Sequence, residues 1–281
     1  MKIKSLLPLA VGALLCAQTN LNAQEAPSLT PMQTQLHALV EKVQAKISAG
    51  KDTEADLADE LKSFDALVAS EKGAKTDEAA QIVYMKALLY LQVIKDDAKG
   101  AALIKQIKAG YPDTKIGQNT DKILASLDKQ SAAKKIQDGL AAGNAFPDFA
   151  EKDLNGQPLS VGALKGKVVL VDFWATWCGP CRAELPNVIA TYQKHHRQGF
   201  DIIGVSLDSD REKLDAFLKQ QDGMTWPQFF DGQGWSNKLA VKYGVEAIPF
   251  AVLVGPDGKV IGKELRGEEL ENAVGAALAK K

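Results

Sequence analysis

Phe173-Trp174-Ala175-Thr176-Trp177-Cys178-Gly179-Pro180-Cys181 closes the apolar run Val168 to Phe173 and opens a helix-patterned segment from Ala183 to His196. Two thiols three residues apart at a helix start can close a disulfide with almost no chain to order. The first of them lies where free backbone N–H groups and the helix dipole favour a thiolate. Such a pair is suited to act as a dithiol switch. The competing reading is a structural staple, but loop-closure stabilisation grows with the length enclosed, and this loop is very short. Zinc needs more ligands than the chain offers: the histidines are His37, His195 and His196, and there is no second cysteine pair. The expectation is redox chemistry at Cys178 and Cys181 with no metal and no other cofactor.

Outward from this stretch the C-terminal half alternates strands and helices. Phe146-Pro147-Asp148-Phe149 and the Asn155-Gly156 turn predict a hairpin-like lead-in. Val168 to Phe173, broken only by Asp172, predicts a strand buried on both faces. A second buried strand is expected over Asp201 to Leu207, then a helix capped by Asp210 and another over Trp235 to Tyr243. Phe250 to Val254 and Lys259 to Lys263 flank the turn Gly255-Pro256-Asp257-Gly258, and Glu268 to Ala279 closes with a helix. The pattern predicts an α/β fold with a mixed sheet covered by helices.

The N-terminal half has a different grammar. Leu36, Leu39, Val40, Val43 and Ile47 draw a helical stripe over Pro31 to Ser48; Leu57, Leu61, Phe64 and Leu67 repeat it over Ala55 to Ala69. Thr76, followed by Asp77 and Glu78, predicts an N-cap for a third, largely apolar helix to about Lys95. Further helices are expected at Ala98 to Ala109 and Lys115 to Asp128, with a last short one after Ser131. Tyr84, Ala87, Tyr90 and the break at Tyr111-Pro112 resemble a tetratricopeptide-type hairpin, without a second copy at a fixed period. An all-α bundle over residues 24–143, ahead of the α/β domain at 144–281, is the expected organisation. His37 and the charge runs are read as solvated helix faces.

Lys2 and Lys4, an apolar stretch from Leu6 to Ala17, and Leu21-Asn22-Ala23 predict a leader, residues 1–23, cut before Gln24. The apolar stretch is short for a membrane span, which needs about 20 residues. Lipidation at Cys16 is disfavoured because Leu15 precedes it. Loss of Lys2 and Lys4 takes the formal charge from −1 to −3, which favours solubility and gives no nucleic-acid footprint. The expected location is periplasmic or otherwise extracytoplasmic, with a membrane anchor through an uncleaved leader as the lesser alternative. With Cys16 gone, Cys178 and Cys181 are the remaining cysteines.

From about Ala145 onward the chain resembles the thioredoxin-fold proteins, and most closely the exported TlpA/ResA-like thiol–disulfide oxidoreductases. The resemblance is carried by Pro147-Asp148-Phe149, Gly166-Lys167, Val171-Asp172-Phe173-Trp174-Ala175, Trp177-Cys178-Gly179-Pro180-Cys181-Arg182-Ala183-Glu184-Leu185-Pro186, Ile248-Pro249 and Asp257-Gly258. It covers about half the chain and leaves the helical part outside. It implies that Cys178 attacks as a thiolate and that Cys181, buried one turn in, resolves the mixed disulfide. Asp172 would assist proton transfer from the resolving thiol, although exported relatives often carry Asn there; its alternative is a carboxylate that merely reaches a polar edge. Glu184 would tune the site or simply be a helix-start acid. Ile248-Pro249 would form a cis peptide packed on the dithiol and pair with substrate, with Trp177, Gly179 and Pro180 also facing it. Phe250, where Thr is usual, suggests a bulkier substrate surface; Trp174 is read as core, and His195-His196 as surface.

The Gly-Pro dipeptide matches thioredoxin, a reductant at about −270 mV against about −120 mV for DsbA, and so favours reduction of protein disulfides. That direction implies an electron donor outside the cytoplasm, such as a membrane thiol relay of the DsbD type. An oxidase or isomerase is the alternative, as is a partner-docking protein carrying an accessory thioredoxin module. A peroxide-reducing enzyme of the same fold would need Thr or Ser at 175 and Pro at 171, where this chain has Ala175 and Val171.

Overall fold

The computed structural model describes residues 30–71 and 73–280. The expected leader, with Lys2, Lys4 and Cys16, lies outside the described residues. The chain divides into two compact units, one ending at Asp121 and one beginning at Lys122. The change to strand–helix alternation comes later, near Gly143, because the second unit opens with helix.

The first unit holds α1 (Pro31–Ser48), α2 (Ala58–Ser70), α3 (Asp77–Leu89) and α4 (Asp97–Gly110). Side-chain caps start three of them, all but α2. Thr30 and Gln33 form a reciprocal capping box ahead of Pro31, Thr76 Oγ1 accepts from the Ala79 N–H, and Asp96 accepts from the Lys99 N–H. The third helix widens at its end into a π-helical turn, Tyr90–Ile94, and stops at Lys95, whose φ is 64°. Leu36, Leu39, Val43, Leu57, Leu61, Phe64, Ile82 and Leu89 meet in one core, so the stripes expected from spacing do face each other.

The helices expected at Lys115 to Asp128 and after Ser131 are a single helix, α5 (Thr120–Gly139), preceded by a 3₁₀ turn at Gly117–Asn119. No proline or glycine interrupts residues 120–138, so nothing ends the helix at Asp128. From Lys122 on, α5 belongs to the second unit and packs there. Gln137 Nε2 donates to the Gly244 carbonyl at 2.5 Å, and Lys263 Nζ donates to the Gln137 carbonyl at 2.5 Å. Gly244 has φ +64°, and a Cβ there would lie 2.6 Å from the Ala133 carbonyl oxygen. Glycine is required by both the backbone and the helix laid against it.

The second unit is built on one mixed sheet covered by helices. A short antiparallel hairpin, β1 (Glu151–Lys152) and β2 (Pro158–Leu159), turns at Asn155-Gly156 as expected. The main sheet contains β3 (Val168–Trp174), β4 (Phe200–Ser206), β5 (Gln228–Phe230), β6 (Phe250–Val254) and β7 (Val260–Lys263), in the order β5-β4-β3-β6-β7. β3 pairs parallel with β4 and antiparallel with β6, and every residue of β3 and β4 is buried. The covering helices are α6 (Gly179–His195), α7 (Arg211–Gln220), α8 (Lys238–Lys242) and α9 (Gly267–Ala279). Asp210 caps α7 as expected, accepting from Glu212 N and Lys213 N.

Two further elements differ from expectation. The three-residue edge strand β5 is not predicted by the sequence, being too short to show alternation. The helix expected over Trp235 to Tyr243 splits into a 3₁₀ turn, Gly234–Ser236, and α8. Asn237 makes the split: it is fully buried, its backbone is extended, and its Oδ1 accepts from Leu239 N and Ala240 N.

Candidate active site

β3 is the central strand, so its end brings the following residues to the middle of one sheet edge. Cys178 then acts as N-cap of α6, with extended backbone, and its Sγ accepts from the Cys181 N–H at 3.2 Å. Pro180 sits in the first turn, where a missing N–H costs no helix hydrogen bond. The two cysteines are joined in a disulfide, with Sγ–Sγ 2.03 Å and Cα–Cα 5.3 Å. In this oxidised state Cys178 is 5% and Cys181 6% exposed, so both sulfurs are largely covered. Among the described residues no group of three or more His, Cys, Asp or Glu side chains is placed to hold a metal ion.

The approach to the disulfide is held by Asp208, a residue that sequence reasoning passed over. It follows β4, is buried, and accepts from Thr176 N at 3.1 Å, Thr176 Oγ1 at 2.6 Å and Ser206 Oγ at 2.8 Å. The available signal is an acid just after a strand that reads as buried, where a bare carboxylate would be costly.

Asp172, Cys181, Glu184 and Pro249 come together behind the disulfide. With Arg266 they line a cavity of about 10 Å³, enough for about one water. Asp172 is 8% exposed, and no side-chain or main-chain donor among the described residues hydrogen-bonds its carboxyl. Burial pushes its pKa up to about 6; the Arg266 charge pulls it down and the Glu184 charge pushes it up. Glu184 does more than sit in a helix start. Its Oε1 accepts from Gly267 N at 2.7 Å, capping α9 from the neighbouring helix, and its Oε2 accepts from Asn187 Nδ2 at 3.1 Å. The N-cap of α9, Arg266, makes no side-chain cap of its own.

The Ile248–Pro249 peptide bond is cis, and both residues are half-buried at the start of β6. On the outer side Gly179 and Pro180 are exposed, and Trp177 is 54% exposed. The Trp177 ring lies 6.0 Å from that of Trp235, itself 46% exposed, so two exposed indoles pair on this side, one of them the residue before Cys178. The sequence pattern marks Trp235 only as a helix start. Phe250 does not widen this surface: it is buried, with its ring 5.9 Å from Phe173. Every residue of β6 is buried, so a side chain at this position is taken up by the core. Trp174 is core as expected, its Nε1 donating to Gln228 Oε1 at 3.0 Å. His195 is buried rather than on the surface, its Nδ1 3.3 Å from Gln198 Oε1.

The Redoxin family model matches residues 141–278. The thiol-disulfide oxidoreductase ResA of Bacillus thuringiensis subsp. konkukian is 33% identical over 144 residues, which make up 51% of this chain and 80% of the relative. The chain belongs to the ResA-like thiol–disulfide oxidoreductases. ResA of Bacillus subtilis is 30% identical over 138 residues, 49% of this chain and 74% of the relative. Among solved structures, the thioredoxin domain of a thiol-disulfide oxidoreductase from Bacteroides vulgatus is 36% identical and covers 49% of this chain and 97% of its own, with TM-score 0.45. This ResA-like chain is therefore an oxidoreductase whose redox pair is Cys178 and Cys181, and the matched region excludes the first helical unit.

Proposed function

We propose that the protein is an extracytoplasmic reductase of protein disulfides. In the reduced enzyme the Cys178 thiolate attacks one sulfur of a client disulfide; the Cys178–client bond forms and the other client sulfur leaves as a thiolate. Asp172 takes the proton of Cys181, the Cys181 thiolate bonds to Cys178 Sγ, and the mixed disulfide breaks with release of the second client thiolate. The client gains two electrons and the enzyme is left with the Cys178–Cys181 disulfide. A membrane thiol relay of the DsbD type resets it.

The observation that carries the reading is Asp172 and Cys181 lining one small cavity behind the disulfide, with the carboxyl pushed up to about 6. Near pH 7 such a group is mostly ionised, ready to accept a proton, yet close enough to neutrality to release it again. Trp177, Gly179, Pro180, Ile248 and Pro249 form the client-facing rim, and Glu184 supports the corner behind it by capping α9. The reductase direction rests on the Gly179-Pro180 pair, and the location on the residue 1–23 leader.

With dithiothreitol as donor, the chain beginning at Gln24 should reduce insulin disulfides and Cys178→Ser should not. Equal turnover by that variant defeats the assignment of the attacking thiol.

A further inference from the structure

Arg266 stands where three parts of the site meet. From its place ahead of α9, its Nη2 donates to the Pro249 carbonyl at 2.6 Å and its Nη1 to the Leu265 carbonyl at 3.3 Å. These main-chain acceptors fix the guanidinium without neutralising its charge. The next residue, Gly267, gives its N–H to Glu184 and so ties α6 to the same corner. Asp172 faces that corner across the shared cavity. The charged and titratable groups around Asp172 are Glu184 and Cys181 from α6 and Arg266 from the lead into α9. Its sheet partners, Gly204 on β4 and Ala251 on β6, carry none.

We infer that Arg266 is a positioning residue for disulfide exchange: it holds the Ile248–Pro249 segment beside the dithiol and sets a positive charge next to the Asp172–Cys181 pair. The inference deepens the function proposed above and rests on Asp172 taking the Cys181 proton. Before that transfer the charge stabilises ionised Asp172, the form able to accept. During it the same charge favours the Cys181 thiolate that must bond to Cys178. The tether to the Pro249 carbonyl keeps the client-facing backbone at a constant distance from the sulfurs.

The test is a ¹³C-NMR titration of the Asp172 carboxyl in the oxidised full chain, with KM and kcat for insulin measured on the same samples. Arg266→Gln should raise the carboxyl midpoint by about one pH unit and raise KM several-fold. An unchanged midpoint overturns the inference. Arg266→Lys keeps the charge but loses the forked donor; it should leave the midpoint in place and raise KM. Should Arg266→Gln fail to fold, the lysine variant decides alone, and a moved midpoint or unaltered KM is then the overturning result. A rate profile that keeps its midpoint near pH 6 in Asp172→Asn would instead sink the proton-transfer reading. The two failures are separable because the carboxyl titration does not pass through activity.

Discussion

Asp172 costs the fold stability above pH 6. Its folded pKa of about 6 lies above the ordinary 3.8, so the native state binds the proton more tightly than the unfolded chain does. The associated stability is fully present below about pH 4 and is lost as pH rises through 6. At pH 8, Asp172→Asn should therefore be more stable than the parent, by about 1–3 kcal/mol, with the gap closing towards pH 4. Thermal unfolding followed by tryptophan fluorescence checks this, since Trp174, Trp177, Trp226 and Trp235 all lie in the second unit. The same substitution should slow insulin reduction by about ten- to a hundredfold, and the parent rate should rise with pH through 6 as the carboxyl ionises. A variant both destabilised at pH 8 and undiminished in rate would remove Asp172 from the mechanism. On the outer face, Trp235→Ala should raise KM for unfolded clients and leave kcat little changed, because the indole packs on Trp177, the residue before Cys178, and makes no bond to either sulfur. Steady-state kinetics at several client concentrations separate the two effects.

At the scale of elements, the loop into α6 and the end of α5 are the joints to probe. Asp208→Ala leaves the Thr176 N–H, the Thr176 hydroxyl and the Ser206 hydroxyl without their acceptor. A loss of about 2–3 kcal/mol in urea unfolding is expected, together with slower exchange at Cys178. Gly244→Ala should cost at least about 1 kcal/mol, because it forces a side chain into a left-handed backbone and against α5. The helix boundaries were legible where caps are local: Thr30, Thr76, Asp96 and Asp210 each bond an N–H two or three residues ahead. β5 was not legible, since three residues cannot display a period of two and its burial comes from pairing with β4. The break at Asn237 was equally hidden. A buried amide that donates to Ser206 O and Asp231 Oδ1 is fixed by distant partners, not by its neighbours in sequence.

For the whole molecule, direction of electron flow is the quantity that matters. The Cys178–Cys181 potential, measured against a dithiothreitol or glutathione buffer, should fall nearer thioredoxin's, at about −270 mV, than DsbA's, at about −120 mV. A value near the latter reverses the proposed direction. On the proposed location, mass spectrometry of the protein recovered from cells should find Gln24 as its first residue. The dithiol, the strand before it and the amphipathic stripes of the first unit were all determined by the sequence alone. Each depends on residues within a turn or a pleat of one another, so spacing encodes it directly. Only the tertiary structure brought Asp208 to Thr176 across 32 residues and Gly267 to Glu184 across 83. The order β5-β4-β3-β6-β7 sets β4 and β6 on either side of β3, and that lateral placement, absent from any local pattern, gathers Pro249, Arg266 and Asp172 around one pair of sulfurs.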